Sequence, residues 1–206
     1  MKAGARLSVF PLGGALLLPR AYLPLHIFEP RYRALVQDAL IRDRRIGMVQ
    51  PRGGGQVPPL FDVGCIGRII DVQAMEDGRY NIVLEGTTRF RILRELDTTT
   101  AFRQVEIVTA DYLDDGDDPE PLAPVMRASV EREARRMAAI RGYAVDWDQV
   151  GRLDDEGLVN GFAQAGPFDV AARQALLEAP TLLERAELLV QFLAFFAAGG
   201  DDKTIQ

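Results

Sequence analysis

The 206 residues predict an α+β protein, with a β-rich first part closed or partly open as a barrel and a helical second part. Three observations carry this. Six or more short apolar or alternating runs, bounded by Gly and Pro, occupy residues 6–108. Beyond residue 121, apolar residues recur at helical spacing behind Asp and Thr cap candidates. Between the two lies D-Y-L-D-D-G-D-D-P-E-P (111–121), which reads as an interdomain linker and marks a change of charge. Residues 1–110 carry 15 Lys/Arg against 11 Asp/Glu, whereas residues 111–206 carry 9 against 19. The expected division is a β domain at 1–115 and a helical domain at 116–206.

The strand candidates are R-L-S-V-F (6–10), A-Y-L-P-L-H-I-F (21–28), I-G-M-V-Q (46–50) and C-I-G-R-I-I-D-V-Q-A-M (65–75). Asp77-Gly78 then separates I-I-D-V-Q-A-M-E from R-Y-N-I-V-L-E, and a D-G pair in that setting predicts a hairpin with a type I′ turn. R-F-R-I-L-R-E-L (89–96) alternates strictly, and F-R-Q-V-E-I-V (102–108) closes the set. The one helix expected among these strands begins at Pro30. Tyr32, Leu35, Val36, Ala39 and Leu40 are spaced i, i+3, i+4, i+7, i+8, Pro30 suits the first helical position, and Glu29 falls at the cap.

In the second part, Pro121 to Tyr143 places Leu122, Val125, Met126, Val130, Met137 and Ile140 near the helical period. Asp154 can cap L-V-N-G-F-A-Q-A, Asp169 can cap V-A-A-R-Q-A-L-L-E-A, and Thr181 with Glu184 forms a T-x-x-E capping box. Leu182, Leu183, Ala186, Leu189, Val190, Leu193 and Ala197 form the apolar face of that last helix, and Gly199-Gly200 is its expected end. Four helices with short connections are expected.

Composition removes several function classes. Hydrophobic content of 48% with 26% charged residues is that of a soluble globular protein. With Cys65 as the only cysteine and His26 as the only histidine, an intramolecular disulfide and a four-ligand Cys/His zinc site are both excluded. The apolar run near the C-terminus is too short to span a bilayer, and Pro11, Gly13 and Gly14 break the N-terminal one, so neither a membrane anchor nor a signal peptide is expected. The expectation is a cytoplasmic protein. Lysine occurs only at 2 and 203, so no Walker A motif can be built; Gly53-Gly54-Gly55 reads as a loop. Aligning Asp111 with position 1 of an EF-hand puts leucine at positions 3 and 12, which rules out that calcium loop.

The segments F-P-L…L-P-L-H-I-F-E-P-R-Y-R-A-L, D-V-G-C-I-G-R-I-I and D-G-R-Y-N-I-V-L-E-G-T-T-R-F-R-I-L together resemble the N-terminal substrate-binding domain of Lon proteases. The later L-V-N-G-F-A-Q…Q-A-L-L-E-A-P-T-L-L-E-R-A-E-L-L is similar to the helical part that follows in free-standing members of that family. The resemblance covers about residues 7 to 197. It implies a PUA-like β-barrel, a β fold also found in the related domain of cereblon, followed by a helical bundle. Full-length Lon enzymes carry an ATPase module and a Ser-Lys peptidase after this region; the chain as given ends at Gln206, so a non-catalytic protein-binding module with no cofactor is expected. His26, Glu29, Pro30, Arg31, Tyr32, Gly86, Arg89 and Phe90 lie in the matching motifs and are read as structural: His26 on a strand before the turn, Glu29 as a carboxylate meeting free N–H groups at the helix start.

The ligand implied is an exposed apolar or extended polypeptide segment, in an unfolded substrate or a partner protein; a homodimer is compatible with the sequence. Two proline-broken apolar segments, A-L-L-L-P-R-A-Y-L-P (15–24) and V-P-P-L-F (57–61), are the candidates for presenting apolar side chains, with Leu17, Leu18, Tyr22, Leu60 and Phe61 as contacts. The competing reading is that these five pack the core. Two other classes stay open at this stage. One is an RNA-binding PUA-like module using Arg89, Arg91, Arg94 and Arg103, against which stand the weak positive charge and the absence of interleaved aromatics. In the blander reading those arginines pair with Glu85, Glu95 and Glu106 across strands. The other is a small hydrolase using Cys65 and His26, although Cys65 lies in an apolar strand where a thiol is usually inert.

Overall fold

The structure, a computed structural model, describes residues 4–55 and 57–198. The chain divides into two compact units, Met1–Asp117 and Asp118–Gln206. The first is mixed, with six strands and a helix: β1 (Ala5–Pro11), β2 (Tyr22–Ile27), α1 (Pro30–Ile41), β3 (Arg45–Val49), β4 (Val63–Ala74), β5 (Tyr80–Glu95) and β6 (Gln104–Val108). They form one sheet in the order β2-β5-β4-β3-β1-β6, and β5 pairs with β6 as well. The pairing therefore runs in a cycle through β5, β4, β3, β1 and β6, with β2 added outside it on β5.

The runs 79–85 and 89–96 are one strand, not two. Gly86 does not break β5, and its 16 residues bend instead through register shifts opposite Ile66/Gly67 and at Ile92/Arg94. Each shift places an unpaired residue on one strand and sharpens the local twist. One half of β5 can then pair with β2 while the other pairs with β6. The β4–β5 hairpin is present, but its turn is not type I′. Gly78 N–H donates to Met75 O, and of the turn residues only Gly78 has a positive φ, at 79°. That is a type I turn closed by a left-handed glycine, the usual geometry of a three-residue loop.

Phe90, fully buried, centres the sheet core with Leu7, Val9, Val49, Ile66, Val105 and Ile107. Gly47 and Gly64 make room for its ring, since a Cβ on Gly64 would lie 2.4 Å from Phe90 Cζ. Helix α1 buries Tyr32, Leu35, Val36 and Ala39 as its periodicity predicts. Tyr32 packs its ring 4.0 Å from that of Phe10 and donates its hydroxyl to Pro11 O; burial pushes its phenol above the ordinary value.

Glu29 is at the N-cap position of α1 but does not cap it. Its carboxylate accepts from Arg31 Nε at 2.9 Å, and no side-chain bond reaches the helix N–H groups. The short side chains of Asp154, Asp169 and Thr181 do cap, at 2.7, 2.7 and 3.2 Å. Glutamate carries one methylene more than the geometry of a cap accommodates well, which is why Asp, Asn, Ser and Thr lead at that position. We expect Glu29→Ala to lower stability by less than about 0.5 kcal/mol, as for an exposed ion pair. Asp169→Ala should cost about 1 kcal/mol. Urea denaturation of the two variants separates them, and equal losses would contradict the assignment.

The second unit is helical: α2 (Pro124–Arg141), α3 (Trp147–Val150), α4 (Asp155–Ala165), α5 (Val170–Glu178) and α6 (Leu182–Ala197). α6 lies against α2, α4 and α5. The buried stripe of α2 is Val130, Ala134, Met137 and Ala138; Val125 and Ile140, expected on it, are exposed because they fall off that stripe by more than a quarter turn. Asp155 ties the start of this unit together, accepting from Leu122 N and Arg127 Nη1 at 2.8 Å each. The Arg127 hydrogen bond holds its carboxyl below the ordinary range. The Thr181/Glu184 capping box is complete. The expected end of α6 at Gly199-Gly200 lies outside the described residues.

The stretch 111–121 is only partly a linker. Ala110–Gly116 form a 3-10 segment that belongs to the first unit, and the irregular connection begins after it. This changes the charge reading. Residues 1–117 carry 15 Lys/Arg against 15 Asp/Glu, and residues 118–206 carry 9 against 15. The β unit has no net charge, because the acidic run neutralises its arginines.

Candidate functional site

The five apolar candidates are not one surface. Leu17 and Leu18 are 2% and 0% exposed, so they are core residues and cannot contact a ligand. The reason is visible across the sheet: Gly67 and Gly86 face each other in β4 and β5, and the backbone of Leu18 lies directly on Gly86. Arg20 N–H donates to Gly86 O and Gly86 N–H to Ala21 O, pinning the proline-broken segment into the sheet. Leu60 is half-buried against the Phe90 core, and Phe61 is half-buried under the Arg52 guanidinium, 4.9 Å from its ring centroid. Tyr22 alone of the five is well exposed, at 58%.

Tyr22 begins β2, and the face it shares carries open space. Along β2 the residues alternate: Leu23, Leu25 and Ile27 turn inward, Tyr22, Pro24 and His26 outward. The register sets Pro24 beside Val83 and Asp71, and His26 beside Asn81 and Gln73. The result is a shallow depression of about 370 Å³ across three strands, with Pro24 and Val83 as its apolar part and Asp71 at one side. Ile70, exposed at 44%, is the residue skipped by the register shift between Ile69 and Asp71.

His26 belongs to this face as a link in a polar row. Its Nδ1 is 2.7 Å from Asn81 Oδ1, Asn81 Nδ2 donates to Gln73 Oε1 at 3.1 Å, and Arg79 Nη1 lies 3.4 Å from His26 Nε2. With the Asn81 amide oriented toward Gln73, its oxygen requires the proton on His26 Nδ1, leaving Nε2 to accept from Arg79. Among the described residues, the polar contacts of His26 are an amide and a guanidinium, neither of them a nucleophile. Cys65 is fully buried in β4 opposite Arg89, eight residues along β5 from the His26 partner Asn81, which is ~25 Å at strand spacing. The Cys65/His26 dyad is therefore not formed.

The arginines of the RNA reading are tied to acids. Arg94 pairs with Glu106 at 2.6 Å and Arg103 with Glu95 at 2.6 Å, both across β5–β6 or its edge, as cross-strand pairing predicts. Glu85 pairs instead with Arg68, and Arg91 with Asp111. Arg89 is buried, and Asp115 accepts from its backbone N, Nε and Nη2 at 2.7 to 3.1 Å. Sequence reasoning missed this pair because Asp115 is one of several aspartates in a run with no local mark. Among the described residues no cluster of three His, Cys, Asp or Glu could hold a metal, and no helix is long and apolar enough to cross a membrane.

Comparison with known proteins places this geometry. The family profile of the ATP-dependent protease La (LON) substrate-binding domain matches residues 6–194. A Lon protease of Anaeromyxobacter dehalogenans is 24% identical over 195 residues, covering 92% of this chain and 23% of that protein. Lon protease 2 of Sorangium cellulosum is 32% identical over 89 residues, 41% of this chain and 11% of that one. The chain thus spans about a quarter or less of the curated relatives it matches. Among solved structures, a Lon N-terminal domain protein from Xanthomonas campestris superposes with a TM-score of 0.67 at 24% identity, over 91% of this chain and 98% of that one. The N-terminal domain of a Mycobacterium avium complex Lon protease gives 0.64 at 19% identity, over 92% and 98%. Both likenesses are of fold. On the match across residues 6–194, the chain belongs to the Lon substrate-binding domain family.

Proposed function

We propose that this chain is a non-catalytic recognition module of the cytoplasm, a PUA-like β-barrel with a helical bundle, that captures unfolded or extended polypeptide, whether a substrate or a segment of a partner protein. The observation that carries the reading is the outer face of β2, β5 and β4. It keeps Tyr22 and Ile70 exposed on the strands that also carry the Pro24–Val83 depression. Large apolar groups held exposed on a rigid sheet are what a polypeptide binder needs. The neutral β unit, with its arginines paired to carboxylates, weakens the nucleic-acid alternative, which depends on free cations.

The test is capture of unfolded β-casein by the immobilised protein. Tyr22→Ser and Ile70→Ser are expected to lower affinity roughly tenfold, the effect of losing one good anchor, with the melting temperature nearly unchanged. Leu18→Ser should instead destabilise the fold. β-casein captured equally by wild type and both surface variants would remove the binding site from this face. No capture by wild type at micromolar concentration would remove the function.

A further inference from the structure

Three rows of side chains cross the outer face of β2, β5 and β4, since residues directly opposite in a ladder share a face. Two of the rows satisfy themselves. Tyr22, Glu85 and Arg68 make up the first, where Arg68 and Glu85 form an ion pair at 2.6 Å. His26, Asn81 and Gln73 make up the third, bonded side chain to side chain along the row. Between them run Pro24, Val83 and Asp71, the row that carries the depression. Asp71 is exposed, and among the described residues its carboxylate has neither an ion pair nor a hydrogen bond.

We infer that the middle row is a subsite for one basic side chain of the client polypeptide, an arginine or lysine with apolar neighbours. Its cation meets Asp71 and its methylene stem lies over Val83 and Pro24. This rests on the polypeptide-binding reading above and names the kind of segment selected.

The occupant follows from what the row offers. Its ends are two strand spacings apart, about 10 Å, with a carboxylate at one end and the apolar Val83 and Pro24 beyond it. Lysine and arginine are built on that plan, an apolar stem ending in a charge. A wholly apolar side chain would cover Asp71 without replacing its water, and an acidic one would meet like charge. The cations on these strands beside the row, Arg68 and Arg79, are held by Glu85 and Asp77, so the uncompensated charge of the three rows is that of Asp71.

The bulge in β4 accounts for the apolar neighbours. Ile70 and Asp71 together oppose Val83, which puts an exposed apolar side chain next to the carboxylate. Tyr22 supplies another in the adjoining row. An extended client shows alternate residues to one surface, so its apolar partners belong two positions either side of the basic residue.

The test compares charge at constant shape. The probe is a fluorescein-labelled Gly/Ser dodecapeptide carrying one Val-Ser-Arg-Ser-Val, paired with the same peptide in which citrulline, uncharged and near-identical in shape, replaces arginine. By fluorescence anisotropy, wild type should bind the arginine peptide roughly three- to fivefold more tightly, the worth of one exposed ion pair. Added sodium chloride should shrink that ratio. Asp71→Asn should erase it, and Asp71→Lys should invert it in favour of a peptide with glutamate at the same place. Both variants alter an exposed side chain and should melt as wild type does. Equal affinity of wild type for the arginine and citrulline peptides, or a ratio that survives in Asp71→Asn, overturns the subsite while β-casein capture, measured alongside, stands. No binding of the arginine peptide by protein that captures β-casein overturns it as well. Concentration-dependent dimerisation that Asp71→Asn abolishes would assign the carboxylate to a cation of a second copy and overturn it equally. Protein that captures neither probe is the failure of the proposed function itself and removes the subsite with it.

Discussion

Asp115→Ala is expected to destabilise the N-terminal unit by about 3–5 kcal/mol, because it strands a buried guanidinium without its counter-charge. Both side chains of the pair are 6% exposed. Asp115 accepts from the Arg89 backbone N–H at 2.7 Å, from Nε at 3.1 Å and from Nη2 at 2.7 Å, and the Tyr112 ring lies 4.8 Å from the Arg89 guanidinium carbon. Arg20 Nη1 adds a bond to the Asp115 carbonyl at 2.6 Å. Removing the carboxylate thus strips acceptors from several donors that water cannot easily reach. The loss should appear as a fall in melting temperature on the order of 10–20 °C for a unit of this size. The companion variant Arg89→Met/Asp115→Leu removes both charges and should be more stable than Asp115→Ala alone, since a buried pair replaced by apolar groups loses far less than a pair broken in half. Urea denaturation of the three proteins checks this. A loss under 1 kcal/mol for Asp115→Ala would mean that the carboxylate does not hold Arg89 in the folded protein.

That pair also shows where the sequence stops being readable. The caps at Asp154, Asp169 and Thr181 follow from side chains acting within three residues, so their spacing was sufficient. Asp115 acts on a residue 26 positions away, and in D-Y-L-D-D-G-D-D nothing local distinguishes it from Asp114 or Asp117. Glu29 does stand at the start of α1, but its longer side chain turns to Arg31 and leaves the cap unmade. α3, four residues long, is too short to show a period at all. Arg185, buried in the face of α6 and bonded to Leu176 O and Asn160 Oδ1, reads from sequence as a solvated charge and becomes a core residue only once α4 and α5 supply its acceptors. On the proposed binding face, Tyr22 is legible as an apolar residue in a proline-broken segment. The depression beside it is not, because Asp71, Asn81 and Val83 come together only through the register of β4 and β5. The burial of Leu17 and Leu18 does leave a mark in the sequence. A glycine inside a strand often marks close approach of another backbone, and Gly67 and Gly86 both stand in strand interiors.

Gly86→Ala tests that close approach and is expected to cost about 3 kcal/mol, at the upper end for overpacking. A Cβ at residue 86 would lie 2.0 Å from Leu18 O and 2.8 Å from Leu18 C, and both are backbone atoms that no rotamer change can move. The segment carrying them is held on both sides, by Arg20 N–H to Gly86 O at 2.8 Å and by Gly86 N–H to Ala21 O at 2.9 Å, with Leu17 and Leu18 sealed into the core. Relieving the clash requires that segment to lift, which breaks those bonds and exposes the leucines together. Because Ala21 leads directly into β2, the same displacement should loosen the strand that carries Tyr22, and β-casein capture should fall with stability. Gly161→Ala is the counterweight. It sits on the exposed face of α4 with nothing within 4 Å of a new Cβ, so it should raise the stability of the helical unit by about 0.5–1 kcal/mol. Opposite signs from the same chemical change, read by thermal denaturation, are the expected result; a Gly86→Ala protein as stable as wild type would show that Leu18 does not lie on β5.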